Sequence, residues 1–210
     1  MLSHLRISLK VIGLFFVISL LSNTIMSCSE KADNDEEYAD WKVKNDKYWS
    51  ELYYKTKQRI EAGNKSWDII LNYTYLNQKP ISSANAYTPD KYIIVHKLEA
   101  GTGKVSPLFT DSVHVHYRGM LIPSKTNVRG FVFDSSWGGN TFDVRTAIPA
   151  RFRVNNVVDG FSTALQSMHI GDNWEVYIPY SLGYGGRRQG NIPAYSTLIF
   201  NIRIESIYHY

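Results

Sequence analysis

One carboxylate, Asp134, directly follows an aromatic residue, Phe133, and two phenols flank the pair at a distance, Tyr117 upstream and Tyr184 downstream. Val157, Val158, Phe161, Ile192 and Phe200 complete a set that is aromatic and aliphatic, with very few polar groups. Such a set suits an apolar pocket in which a handful of polar atoms orient a guest. The more familiar catalytic groupings are weak in this chain. Ser135 and Ser136 have no paired base in view. His114-x-His116 puts two imidazoles on one face of a strand, but no third ligand accompanies them, so outward or hydrogen-bonded side chains are expected. The stretch from Gly183 to Gly190 is glycine-rich, yet it lacks phosphate-loop spacing and the Gly-Lys-Ser/Thr ending. Neither a metal nor a cofactor is expected.

Short strands and one short helix must hold that set. Val113, Val115 and Tyr117 alternate with His114, His116 and Arg118, the period of two of a half-buried strand. Tyr92 to Leu98 reads as a strand ended by Gly101-Thr102-Gly103, and Trp174–Ile178 and Thr197–Ile207 read as two more. Phe161, Ala164, Leu165 and Met168 fall at helical spacing, with Gly160 before them and Gly171 after. A short helix with one apolar stripe has to be covered by a sheet. The pattern is α+β: an antiparallel sheet folded over one short helix.

The segments VHVHYRGML, FVFDSS, NNVVDGFSTALQSMHIGD, YIPYSLGYG and IPAYSTLIFNI, in that order, resemble the FKBP-type peptidyl-prolyl cis-trans isomerases, the immunophilins that bind tacrolimus and rapamycin. The resemblance covers about residues 91–210 and implies the FKBP-like fold, an antiparallel β-sheet wrapped over one short α-helix. It implies a pocket for a proline side chain with Asp134, Tyr184 and Tyr117 as catalytic residues. Phe133, Val157, Val158, Phe161, Ile192 and Phe200 would bind substrate. The Ile192 N–H would hold a substrate carbonyl, the Tyr184 hydroxyl would donate a second bond, and Asp134 would orient Tyr117 or face the rotating carbonyl. Proline-containing polypeptides, and macrolides of the tacrolimus and rapamycin type, are the implied ligands.

This chain departs from the family pattern in places. The pocket floor is commonly Trp and here is Phe161, a smaller ring without an indole N–H. A second pocket phenylalanine, two positions before the motif phenylalanine (here Phe152), is replaced by Ala150. Arg187-Arg188, a pair of loop charges between Tyr184 and Ile192, could alter preference for residues beside the proline. The implied reaction needs no nucleophile. Twisting a peptide bond costs about 18–20 kcal/mol because resonance is lost, and unaided X–Pro bonds isomerise in tens to hundreds of seconds. An apolar pocket favours the less polar twisted amide over the planar one, which is differential binding of the transition state.

The chain has 210 residues, 44% hydrophobic and 20% charged, with 15 Tyr and 5 Trp. That supports a normal core and a β-rich fold. Residues 1–27 look like a signal peptide: His4, Arg6 and Lys10, then an apolar run from Val11 to Leu21 that is too short to span a bilayer comfortably. Removing Arg6 and Lys10 from the 23 Lys and Arg leaves 21 against 19 acidic residues. With no block of basic residues, no nucleic-acid partner is expected. Ile25-Met26-Ser27-Cys28 resembles a bacterial lipobox, and Cys28 is the sole cysteine, so lipidation at Cys28 and anchoring to an outer membrane are expected. A lone cysteine also means no internal disulfide. Residues 28–37 read as an acidic, solvated tether, and they resemble the surface-export signals of lipoproteins in the Bacteroidetes, which leaves periplasmic or surface exposure open.

Residues 36–62 are predicted helical, with Gly63-Asn64 as the stop. Trp41, Tyr48 and Leu52 share one face, widened by Tyr38, Trp49 and Tyr53. That stripe either packs on its own domain or makes a homodimer. Residues 64–90 are ambiguous, with Pro80 and Ser82 to Asn85 in a loop. The expected division is therefore signal peptide 1–27, tether 28–37, helical or irregular extension 38–88, and isomerase domain 89–210. The chain reads as an isomerase assisting the folding of exported proteins; the alternative is a binding or chaperone module, or an envelope lipoprotein subunit with weak or no isomerase activity, that holds partners in the same cleft or on the aromatic helix.

Overall fold

The computed structural model describes residues 36–78 and 87–209. The expected leader, Cys28, the tether up to Asp35 and the loop around Pro80 lie outside the described residues. The chain divides into two compact units, Met1–Ala39 and Asp40–Tyr210. The described part of the first is one turn, closed by the Ala39 N–H on the Glu36 carbonyl at 3.5 Å.

In the second unit, helix α1 spans Trp41–Glu61. It starts later than its periodicity suggests, because Asp40 takes a left-handed backbone with φ 55. It stops where expected. Gly63 at φ 86 lets its N–H reach the Ile60 carbonyl at 2.9 Å while the Asn64 N–H reaches Arg59 at 3.0 Å, the paired closure of a Schellman motif. The buried residues are Trp41, Asn45, Trp49 and Thr56. The inward stripe is thus rotated from the predicted one, and Tyr48 and Leu52 are only half-buried. It packs within its own unit. The Trp49 indole N–H donates to the Pro89 carbonyl at 3.1 Å, Tyr53 meets Tyr92 at 6.0 Å, and the Arg59 guanidinium lies 4.2 Å over Trp67.

One antiparallel sheet contains seven strands in the order β1-β2-β6-β7-β3-β4, with β5 also paired to β3. They are β1 (Trp67–Leu71), β2 (Tyr92–Glu99), β3 (Ser112–Leu121), β4 (Val132–Ser135), β5 (Ala150–Arg153), β6 (Asn173–Ile178) and β7 (Leu198–Tyr208). β4 and β5 have four residues each, too few to show alternation in sequence. β1 lies in the ambiguous stretch and pairs along β2, with Trp67 opposite His96 and their rings stacked at 4.3 Å. The expected boundary at Thr88–Pro89 corresponds to no break: α1 and β1 belong to the same compact unit as the rest of the sheet.

Helix α2 (Asp159–Ser167) covers the other face of the sheet. Gly160 precedes the apolar stripe in the first turn of α2, where a Cβ would come within 2.3 Å of Ile178 Cγ2. The two helices explain why Ile93, Ile94 and Val95 of β2 are all fully buried. Tyr92, Ile94 and His96 face α1, Ile93 and Val95 face α2, and a strand covered on both sides reads as a continuous apolar run. Leu165, Met168, Val113, Val115, Ile202 and Ile204 fill the core under α2.

Candidate functional site

A group of rings gathers where α2, β3, β5 and β7 meet. Phe161 on α2, 3% exposed, touches Phe200 edge-on at 4.9 Å. It meets Phe152 at 5.8 Å and Tyr117 at 6.4 Å. Phe200 in turn meets Phe133 at 5.6 Å, and Tyr117 meets Phe152 at 5.2 Å. Edge-to-face rings of this kind hold one another in place beyond their burial. Gly119 makes the arrangement possible: a Cβ on it would stand 2.5 Å from Phe133 and 2.7 Å from Phe200. Phe152, in sequence a motif phenylalanine, and Gly119 are functional positions that the sequence pattern does not single out. Four residues, Ala-Arg-Phe-Arg (150–153), are too few to mark Phe152 by alternation, whereas the Gly in HYRGML was an available signal. Ala150 lies two residues before Phe152 on the same face of β5, opposite Val115.

The polar edge of this group is a single bond. The Tyr117 hydroxyl donates to Asp134 Oδ2 at 2.5 Å, and Asp134 Oδ1 accepts the Ser135 N–H at 2.9 Å. This bond is the contact that an Asp134 orienting Tyr117 would make. Asp134 stands opposite Gly119 on β3, so Tyr117 is its diagonal neighbour, within reach of long side chains. Adjacent residues on a strand ordinarily point to opposite faces, yet Phe133 and Asp134 both serve the site. The register slips between Gly119 and Met120, leaving Phe133 unpaired between Val132 and Asp134. That bulge re-aims the pair. Burial, then the Asp134 hydrogen bond and charge, push the Tyr117 phenol well above its ordinary range. Burial, followed by the charge of Asp134, raises Tyr184 as well. Both hydroxyls are protonated donors at neutral pH.

The remaining residues hang from the connection between β6 and β7. A 3₁₀ turn at Tyr180–Leu182 leads to Tyr184, which is 37% exposed. The Gly185 N–H returns to the Tyr180 carbonyl, and the Tyr195 N–H to the Gly185 carbonyl, each at 2.8 Å. Ile192 is buried, but its N–H is not free for a substrate as the resemblance implied. It donates to the Gln189 carbonyl, and the Gln189 N–H returns to the Ile192 carbonyl, both at 2.9 Å. The turn through Gly190, at φ 54, brings those two residues face to face. Val157 and Val158 are half-buried just before α2, with Val158 at its N-cap.

Two other places differ from expectation or compete. His116 is not outward: it is 3% exposed, lies 4.9 Å from the Phe142 ring, and its Nδ1 has no partner. Burial, reinforced by Arg203 and opposed by Glu205, lowers its pKa. A separate cleft of about 330 Å³ is lined by Asp68, Lys97, Glu99, His169, Asp172 and Trp174 among others. It contains none of the rings above. Its charges are already matched, Lys97 with Asp68 at 2.9 Å and Glu99 with Arg203 at 2.8 Å. Among the described residues no group of three His, Cys, Asp or Glu side chains could hold a metal.

This fold and ring-lined site define a protein class that sequence comparison also finds. Residues 103–205 match the model of the FKBP-type peptidyl-prolyl cis-trans isomerase family. The chain is 41% identical over 111 residues to an FKBP-type 22 kDa peptidyl-prolyl cis-trans isomerase of Escherichia coli K12, covering 52% of this chain and 47% of the relative. It is 40% identical over 111 residues to the outer membrane protein MIP of Legionella longbeachae, covering 52% and 42%. A solved peptidyl-prolyl cis-trans isomerase from Pseudomonas syringae pv. tomato is 30% identical, with 56% of this chain and 76% of that one covered and a TM-score of 0.45. The chain spans about half the length of the curated relatives it matches. Through residues 103–205 it belongs to the FKBP-type peptidyl-prolyl cis-trans isomerase family.

Proposed function

We propose that this chain is a peptidyl-prolyl cis-trans isomerase that assists the folding of exported proteins. The observation that carries the reading is the Tyr117–Asp134 hydrogen bond at the polar edge of the ring group, inside the matched family domain. A proline ring packed among Phe133, Phe161 and Phe200 leaves water behind. The planar amide is more polar than the twisted one, so the apolar walls disfavour the ground state more than the transition state. The protonated hydroxyl of Tyr184 then faces a carbonyl whose direction changes as the bond turns, while the Tyr117 hydroxyl stays on Asp134, and fixed dipoles of this kind act without reorganising. No bond breaks, and no proton has to move.

The test is a protease-coupled assay on proline peptides, comparing wild type with Asp134→Val. A folded variant is expected to lose about 10²-fold in kcat/KM, the scale of one preorganised electrostatic contact. A wild-type rate at background, or an equal rate in the variant, refutes the reading. A binding module on the same cleft is favoured by one observation, the commitment of the Ile192 N–H to Gln189. Peptide binding without rate enhancement identifies that case. Tacrolimus and rapamycin-type macrolides are expected to compete with peptide, more weakly where Phe161 replaces a larger ring.

Placement in the cell envelope, through lipid on Cys28, is part of the same proposal. It is supported by the lipobox-like Ile25-Met26-Ser27-Cys28 and by the name of the Legionella relative. Membrane fractionation of Cys28→Ala tests it, since unchanged membrane association excludes the anchor, and protease shaving of intact cells separates periplasmic from surface exposure. Self-association through α1 would use its outward face, where Val43, Tyr54 and Ile60 are exposed. Sedimentation of the chain checks it.

A further inference from the structure

The connection that carries Tyr184 and Ile192 is gripped from outside the matched domain. The Trp41 indole N–H donates to Ser196 Oγ at 2.8 Å, and the Ser196 hydroxyl passes the link to the Pro193 carbonyl at 2.7 Å. One turn along α1, Asn45 is completely buried. Its Oδ1 accepts the Thr197 N–H at 2.7 Å, while its Nδ2 is spent on the Trp41 carbonyl at 2.8 Å. Both ends of the Asn45 amide are thereby used, and it has one orientation. Between these residues, the Lys42 ammonium lies 5.6 Å from the rings of both Tyr180 and Tyr195, which meet edge-on at 5.4 Å.

Tyr195 is the joint of this grip. It holds a left-handed backbone at φ 62, a conformation that costs a non-glycine residue energy and persists only when its surroundings impose it. Its N–H closes the loop on Gly185 at 2.8 Å. Its ring lies where a Cβ on Gly186 would come within 3.0 Å. Tyr180 and Tyr195 bracket the segment bearing Tyr184 and Ile192, so whatever fixes those two rings and the 193–197 backbone fixes where the loop residues stand.

We infer that the first two turns of α1 brace the site loop, and that Trp41 and Asn45 are positioning residues for the reaction. This rests on the isomerase reading above and adds that the catalytic unit extends to a helix well before residue 103, where the family match begins. Both act on segment 193–197, Trp41 through the Ser196 hydroxyl and Asn45 through the Thr197 N–H.

The experiment uses the full chain in detergent with Asn45→Ala, Trp41→Phe and, as a control on the same helix, Arg59→Met, which loses the contact to Trp67 and touches no part of the loop. Two quantities are read: kcat/KM on a proline peptide, and amide hydrogen exchange in residues 183–197 against that in β3 and β7. Asn45→Ala is expected to lower kcat/KM about tenfold, chiefly through kcat, the scale of one lost buried hydrogen bond. It is also expected to speed exchange in 183–197 while leaving β3 and β7 protected. Trp41→Phe keeps an aromatic side chain, though a smaller one, and removes the indole donor, so a change in the same direction is expected, and it stands in should Asn45→Ala fail to fold. Arg59→Met lowers thermal stability but leaves both quantities at wild-type values. A folded Asn45→Ala, or failing that a folded Trp41→Phe, with wild-type kcat/KM and wild-type exchange in the loop overturns the inference, as does an equal activity loss in Arg59→Met. If the wild type itself turns over no peptide, the isomerase reading fails separately, and exchange in 183–197 decides whether the brace exists.

Discussion

Tyr117 and Asp134 stand on neighbouring strands, whereas Tyr184 and Ile192 hang from a connection that no strand holds. On the strand side, position comes from the ladder between β3 and β4 and from rings that hold one another edge-on, Phe161 against Phe200 at 4.9 Å. On the loop side, position comes from backbone turns and from contacts reaching over from α1, such as the Thr197 N–H on Asn45. The first kind of support is cooperative with the core, so damaging it costs stability and activity together. The second is local and can be loosened without unfolding the sheet, since regions with few buried apolar contacts open more cheaply than the core.

The largest effect that would break this contrast is expected at the strand side. Phe161→Ala removes a buried ring and should cost about 3–5 kcal/mol, a drop in Tm on the order of 10 °C for a chain of this size, with isomerisation lost as well. Calorimetry checks it, and an unchanged Tm would mean the ring group carries no structural weight. Gly119→Ala comes next. Its Cβ would meet Phe133 at 2.5 Å and Phe200 at 2.7 Å, and overpacking of this kind costs about 1–3 kcal/mol. Thermal denaturation together with a peptide assay should show both quantities falling. On the loop side, Tyr184→Phe should leave Tm within error and reduce kcat/KM about fivefold, as loss of one neutral hydrogen bond implies. A fall in Tm comparable to Gly119→Ala would erase the distinction between the two halves.

The smallest effect lies under the loop that packs on the back of β3. Burial lowers the pKa of His116, so folding favours its neutral form. The stability from that preference is fully present above the unfolded value of 6.5 and is lost as pH falls below it. Between pH 7.5 and 5, Tm of the wild type should therefore fall more steeply than Tm of His116→Phe. Parallel curves would place the acid sensitivity elsewhere.

Much of the strand side could be read from residue order. Tyr117 sits in a clean alternation, Phe161 opens a helical stripe, and Phe200 lies in a long apolar strand, so each is placed by a period that survives without neighbours. Phe152 and β5 escaped because four residues carry too little pattern. The inward face of α1 is rotated from the stripe its apolar residues mark. It contains Asn45 and Thr56, and buried polar residues are invisible to a hydrophobic period. Asn45 is received inside by the Thr197 N–H and the Trp41 carbonyl, as buried polar groups generally require, whereas the Thr56 hydroxyl is buried without a partner among the described residues.

By itself the sequence determined the α+β class, the antiparallel sheet over a short helix, the stop of α1 at Gly63 and the family to which residues 103–205 belong. These follow from local periodicity, from a glycine's access to positive φ, and from motifs whose order is written in the chain. Tertiary structure alone decided three further things. The bulge at Phe133 turns two adjacent residues into one site. The Ile192 N–H is committed to Gln189. The first turns of α1 are tied to Ser196 and Thr197, more than 150 residues away. Each depends on a pairing between segments distant in sequence or on a local departure from regular register, and neither leaves a periodic trace in the residues that make it.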